Sequence, residues 1–143
     1  MSSIAEHKSR IKEHLECLQD AVNIGIEKRP VTVGFHTSSC AMEILEMYLH
    51  LSSLISAGKK VNHTWFSRPQ EGQKIEPLIE RKLPVSFDGK EKIYNLIYAI
   101  EDSRDNLIYS KPRKGEVKNV FEAFQKLKTL MEKKIDERGE SLE

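Results

Sequence analysis

The stretch from Pro30 to Ala57 is apolar around most of a helical circumference. Phe35, Ala41, Ile44, Leu45, Tyr48, Leu49, Leu51, Leu54 and Ile55 cover too wide an arc for one neighbour to bury. Such a helix has to sit centrally, packed on more than one side. Pro30 suits its first turn, where a missing N–H costs nothing, and Gly58 supplies a stop. Ser38, Ser39, Ser52 and Ser53 are small and let a neighbouring helix approach closely.

Three further segments share the helical period and supply those neighbours. Ser3-x-x-Glu6 reads as a capping box opening a helix whose stripe runs through Ile4, Ile11, Leu15, Leu18, Val22 and Ile26. Asp88-Gly-Lys-Glu91 reads as a second capping box, and Ile93, Ile97, Ile100, Leu107 and Ile108 follow it until Pro112. Val117, Val120, Phe121, Phe124, Leu127, Met131 and Ile135 mark the last stripe. Between them, Pro69, Pro77 and Pro84 break the Lys59–Phe87 connection into loop and short helix, with Trp65 and Phe66 as its anchors on the bundle. Few segments alternate with period two. The prediction is therefore an all-α single domain, an up-and-down antiparallel four-helix bundle with helices near 3–28, 30–57, 88–110 and 115–137.

With 143 residues there is chain enough for one core and too little for two. A net charge of +1 means that attraction for nucleic acid has to come from a local patch. The polar start lacks an apolar signal region, and no apolar run approaches the ~20 residues of a membrane span, so a cytoplasmic protein without a membrane partner is expected. Cys17 and Cys40 form no closely spaced metal pair. His7 and His14, two turns apart, lack a carboxylate–His–Cys set around them, and His36 with Cys40 reads as a packed thiol beside an imidazole. Neither a metal nor a cofactor is expected.

One residue breaks the pattern. Arg104 falls inside the apolar stripe of the third long helix, within about 100° of arc on a helical wheel. A guanidinium there needs a carboxylate or phosphate partner. Glu43 and Glu46 on the central helix are the expected carboxylates, with Glu101 one turn before Arg104 as further support. A second stripe holds Tyr94, Tyr98, Asp105 and Tyr109. Lys111, Arg113, Lys114 and Lys118 then follow, against Glu116 alone, a local excess suited to phosphate contacts.

The chain resembles the HEPN domain family of prokaryotes, also found at the end of the large protein sacsin. The resemblance spans roughly residues 30–135. It rests on the segment from Val33 to Leu49, where small residues and an internal glutamate precede a long apolar helix, and on Glu101-Asp-Ser-Arg-Asp-Asn-Leu-Ile-Tyr109. The second is similar to the family signature of an arginine, a polar residue and, four to six residues on, a histidine. Arg104 and Asp105 match, but positions 109 to 111 hold Tyr109, Ser110 and Lys111, and none of the five histidines follows Arg104. Active members are dimeric, metal-independent endoribonucleases in which two such motifs meet in one cleft. Others bind nucleotides or partners, often beside a small nucleotidyltransferase in toxin–antitoxin-like pairs. A tyrosine is only about a thousandth ionised at pH 7, so the resemblance implies impaired proton transfer.

Three readings follow. The first is a module binding RNA or nucleotide phosphate through Arg104, Asp105, Tyr109, Lys111, Arg113 and Lys114. The second is a ribonuclease with Arg104 and Tyr109 as catalytic residues, or with a histidine such as His36 or His63 reaching the cleft from elsewhere. The third is a structural dimer in which Arg104 completes a buried ion-pair network. A homodimer through the Tyr94–Tyr98 face is expected, because one bundle core can bury only one of two apolar stripes.

Overall fold

The computed structural model describes residues 3–142. Among them are five α-helices and no strand: α1 (Ile4–Ile24), α2 (Pro30–Leu51), α3 (Leu78–Lys82), α4 (Lys90–Tyr109) and α5 (Glu116–Asp136), with 3₁₀ turns at Ile26–Lys28 and His63–Trp65. The fold is all-α. No helix among the described residues is long and apolar enough to cross a membrane.

As its wide apolar arc requires, α2 is the axis: α1, α4 and α5 all pack on it, and α4 also packs on α5. Val33, Ala41, Ile44, Met47 and Leu49 are wholly buried there. α2 and α4 approach closely at Gly34. A methyl group at its Cα would lie 2.8 Å from Leu107 Cβ, 3.1 Å from Ile108 Cγ1 and 3.3 Å from the Arg104 carbonyl oxygen. α1 leans on α2 and leaves a groove of about 920 Å³ toward α5, lined by Leu15, Val22 and Phe121. Val22, expected inside the stripe, is consequently 43% exposed. Phe35 also departs from expectation and is exposed, at the end of α2 where Pro30 begins it.

Helix ends follow local chemistry, with two corrections. Ser3 and Glu6 form the expected capping box. α2, however, stops at Leu51, not near Ala57. Ser53 takes a left-handed conformation (φ 56°), its N–H donates to the His50 carbonyl, and the Leu54 N–H reaches back to that of Leu49. This double closure is the usual glycine-based helix end, made here by serine. Nor does Asp88 cap α4. Left-handed Gly89 occupies that position without a side-chain cap, and Lys90 Nζ instead ties the helix start to Glu80 Oε2 and the Val85 carbonyl, each at 2.6 Å.

The connection does more than link helices. Phe66, 2% exposed, lies edge-on against Tyr94 and Tyr98, with ring centres 5.1 and 5.6 Å away. Phe87 packs on Tyr48 and Tyr94. Trp65, only partly buried, carries Lys59 over its ring. The Tyr94–Tyr98 part of the second stripe of α4 is thus covered from within the chain, while Asp105 and Tyr109 stay exposed. The expected dimer face through Tyr94 and Tyr98 is not a free surface, because the proline-broken connection supplies the aromatic partners.

Candidate functional site

Arg104 does not meet either carboxylate assigned to it. Glu43 instead accepts from His7 Nδ1 at 2.9 Å and Arg10 Nε at 2.8 Å, both on α1. Burial acts to raise the Glu43 carboxyl, but these hydrogen bonds and charges outweigh it and hold the group below the usual glutamate range. Glu46 Oε1 accepts from the Val61 N–H at 2.7 Å. Both glutamates therefore serve α1 and the connection. The Arg104 side chain is 15% exposed and donates from Nη1 to Asp105 Oδ1 at 3.0 Å, a carboxylate that is itself 81% exposed. Its Nε is buried and has no hydrogen-bond partner. A planar five-donor group is thus set into the protein with most of its donors uncommitted.

One helical turn earlier, Glu101 gathers groups from two other segments. Ser38 on α2 donates its hydroxyl to Oε2, and His63 Nδ1 lies 2.7 Å from Oε1. The Glu101 carboxylate is buried, whereas His63 is about one-third exposed. With Nδ1 committed to Glu101, Nε2 is the His63 nitrogen left for proton exchange. Glu101 and Arg104 stand three residues apart and so are neighbours on the surface of α4. Beside them, the Arg68 guanidinium lies 4.4 Å from the centre of the Tyr98 ring and donates from Nε to Asp102 at 3.0 Å.

Beyond Arg104, Tyr109 ends α4 with 76% of its surface exposed, about 7.5 Å further along the axis. Lys111, Arg113 and Lys114 are exposed on the short turn that follows. That turn is held by Glu116, the first residue of α5. Its Oε1 accepts from Asn106 Nδ2 at 2.5 Å and from the Arg113 N–H at 2.9 Å. Burial acts to raise this carboxyl, yet the hydrogen bonds from Arg113 and Asn106 and the Arg113 charge keep it below the ordinary range.

Glu116→Gln is therefore expected to lower stability by about 1 kcal/mol at neutral pH. The folded-state value is depressed, so this contribution is complete above the ordinary glutamate pKa and fades as pH falls through the folded one. Urea unfolding of parent and variant should differ near pH 7, and the difference should shrink as pH falls below the ordinary glutamate range.

No family model, curated protein or solved structure gives a significant match to this chain.

Of the sequence-predicted residues, the fold groups Glu101, Arg104 and Asp105 and leaves Tyr109, Lys111, Arg113 and Lys114 along one continuing edge. It removes Glu43 and Glu46 from the group. It adds His63, Arg68 and Ser38. His63 and Arg68 stand out in sequence only as polar residues beside an aromatic anchor. Their pairing with α4 depends on where the expected anchor Phe66 docks, and no local pattern names Tyr94 and Tyr98 as its target.

Proposed function

We propose that this chain is a HEPN-like module that binds RNA or a nucleotide phosphate through Arg104, with Lys111, Arg113 and Lys114 extending the contact along the backbone. The observation that carries this reading is the half-sunk Arg104 guanidinium, whose Nε lacks a partner and whose single ion pair is to an exposed neighbour. An oxyanion would satisfy those donors with charge-assisted bonds. The competing structural reading relied on Glu43 or Glu46 neutralising Arg104, and both are engaged elsewhere. The scaffold we infer is an up-and-down antiparallel four-helix bundle. Its support is the pairing of Gly34 with Leu107, Ser38 with Glu101 and Tyr48 with Phe87, in which one partner's number rises as the other's falls. A homodimer belongs to the proposal through a different face from Tyr94–Tyr98: exposed Phe35 and Tyr109 lie at the same end of α2 and α4 as Arg104.

A second reading, a metal-independent endoribonuclease, is favoured by the His63–Glu101 pair. An imidazole oriented by Glu101, which stands three residues before Arg104, would exchange a proton with a ribose 2′-OH while the Arg104 cation stabilises the phosphate. It would supply the group that Tyr109 lacks.

Incubation and binding titration with a mixed RNA pool separate these readings. Arg104→Ala is expected to weaken salt-sensitive RNA binding by about 10-fold or more, the value of a charge-assisted bond. Tyr109→His should raise cleavage above the parent and give 2′,3′-cyclic phosphate ends. Cleavage by the parent that disappears in His63→Ala would favour the ribonuclease. Weak, salt-insensitive binding by every variant, or Arg104→Ala losing stability with unchanged affinity, would return Arg104 to a structural role. Light scattering at micromolar concentration checks the dimer.

A further inference from the structure

Where α1 packs on α2, a second constellation is formed that shares no residue with the Arg104 group. His7 on α1 is wholly buried, an unusual place for an imidazole. Its Nδ1 is fixed by Glu43 Oε2 at 2.9 Å, and Glu43 is in turn held by Arg10. That leaves Nε2, which is buried, has no hydrogen-bond partner and stands 3.4 Å from Glu46 Oε2. Glu46 is oriented in the same manner. Its Oε1 takes the Val61 N–H, so Oε2 is the oxygen left over. The third group is His50, one helical turn beyond Glu46, whose ring centre is 5.5 Å from that of His7.

One ligand atom from each of His7, Glu46 and His50 lies within 4.8 Å of the other two. In a tetrahedral zinc site with bonds of about 2.0–2.2 Å, neighbouring ligand atoms stand roughly 3.3–3.5 Å apart. Rotamer adjustment of the partly exposed His50 covers that difference without moving a helix. We propose that His7 Nε2, Glu46 Oε2 and His50 bind one divalent transition-metal ion of the zinc type, with Glu43 as the carboxylate that orients His7.

Three features support the assignment beyond proximity. The donors are two imidazoles and one carboxylate, the set that favours borderline metals over calcium or magnesium. His7 and Glu46 are each aimed by a second bond on the other atom, the arrangement by which proteins fix a ligand's tautomer and direction. A cavity of about 330 Å³, lined by Arg10, Met42, Glu43, Glu46, Lys60 and Val61, adjoins the carboxylates and gives an ion and a water a way in. Two of the three donors, Glu46 and His50, stand four residues apart on one face of α2. The third comes from α1, so no spacing within one segment reveals the set.

The test is metal uptake by the full chain after chelator treatment and dialysis. Zinc should bind at one ion per chain, raise the melting temperature, and be replaceable by cobalt with the visible ligand-field absorption of a tetrahedral N,O site. His50→Ala, at a partly exposed position that the fold tolerates, should weaken uptake by about 100-fold and abolish the zinc-dependent melting shift. Glu43→Gln should keep the ion but weaken it by about 10-fold. His36→Ala removes the separate His14–His36 pair (Nδ1 to Nδ1 2.8 Å) and should leave uptake unchanged. Absence of stoichiometric zinc in the parent overturns the proposal, as does equal uptake by parent and His50→Ala, or loss of uptake in His36→Ala instead. None of these readouts uses RNA, so the site stands or falls apart from the phosphate-binding reading.

Discussion

Replacing Phe66 by alanine is expected to lower stability by about 3–5 kcal/mol, the usual cost of deleting a buried phenyl ring. The melting temperature should fall on the order of 10 °C. The side chain is 2% exposed and is the one ring that touches both Tyr94 and Tyr98. Its loss leaves a cavity over two phenols whose hydroxyls are already buried without partners. It also frees the Tyr94–Tyr98 stripe, so the variant should gain concentration-dependent self-association that the parent lacks at that face. Urea unfolding followed by circular dichroism, with light scattering beside it, measures both effects. A change below about 1 kcal/mol with no new association would mean that Phe87 and Arg68 cover the stripe by themselves.

Gly34→Leu should be almost as damaging, at about 3 kcal/mol, by the opposite route of overfilling. The nearest atom to the new Cβ belongs to Leu107 at 2.8 Å, and the Arg104 carbonyl at 3.3 Å is backbone that cannot swing aside. α2 and α4 have to separate, which carries Arg104 and Glu101 together away from Ser38 on α2. RNA affinity should then fall together with stability. Gly34→Ala is the graded control. It clashes at the same Cβ but recovers about 1 kcal/mol of helix propensity, so its net cost should be smaller. If the leucine variant unfolds at the same urea concentration as the parent, the two helices are not in contact at Gly34.

Much of the architecture was readable in sequence because apolar periodicity and burial are the same fact seen twice. The stripes of Ile93, Ile97, Ile100 and Leu107, and of Val117, Val120, Phe124, Leu127 and Met131, are buried as their spacing requires. The end of α2 was not readable, since a serine rather than Gly58 takes the left-handed position. The identity of the site's neighbours was less readable still. Arg104 stood out because a cation in an apolar stripe is locally anomalous. Its separation from Glu43 and Glu46 depends on which face of α2 each helix occupies, and that is decided by packing between segments far apart in sequence. Gly34 and the serines nearby prescribe close approach, but only the fold says that α4 is the helix that approaches.

The attachment of His63 has a bearing on timing as well as geometry. Arg104 and Glu101 ride on α4, which is locked to α2 and α5 by core packing. His63 rides on the connection, whose hold on the helices is concentrated in Phe66, Phe87 and a few polar ties, while the described stretch from Ser67 to Glu76 has little backbone hydrogen bonding beyond the Gln70–Gln73 turn. Segments of that kind detach at a lower free energy than the helices they cover. The cation that would bind phosphate is therefore a permanent part of the molecule, and the imidazole that would act on it is present only while the strap is fastened. Occupancy of the strap sets what fraction of molecules is complete at any instant, so a ligand that touches both parts would lengthen the complete state's lifetime by its own binding energy.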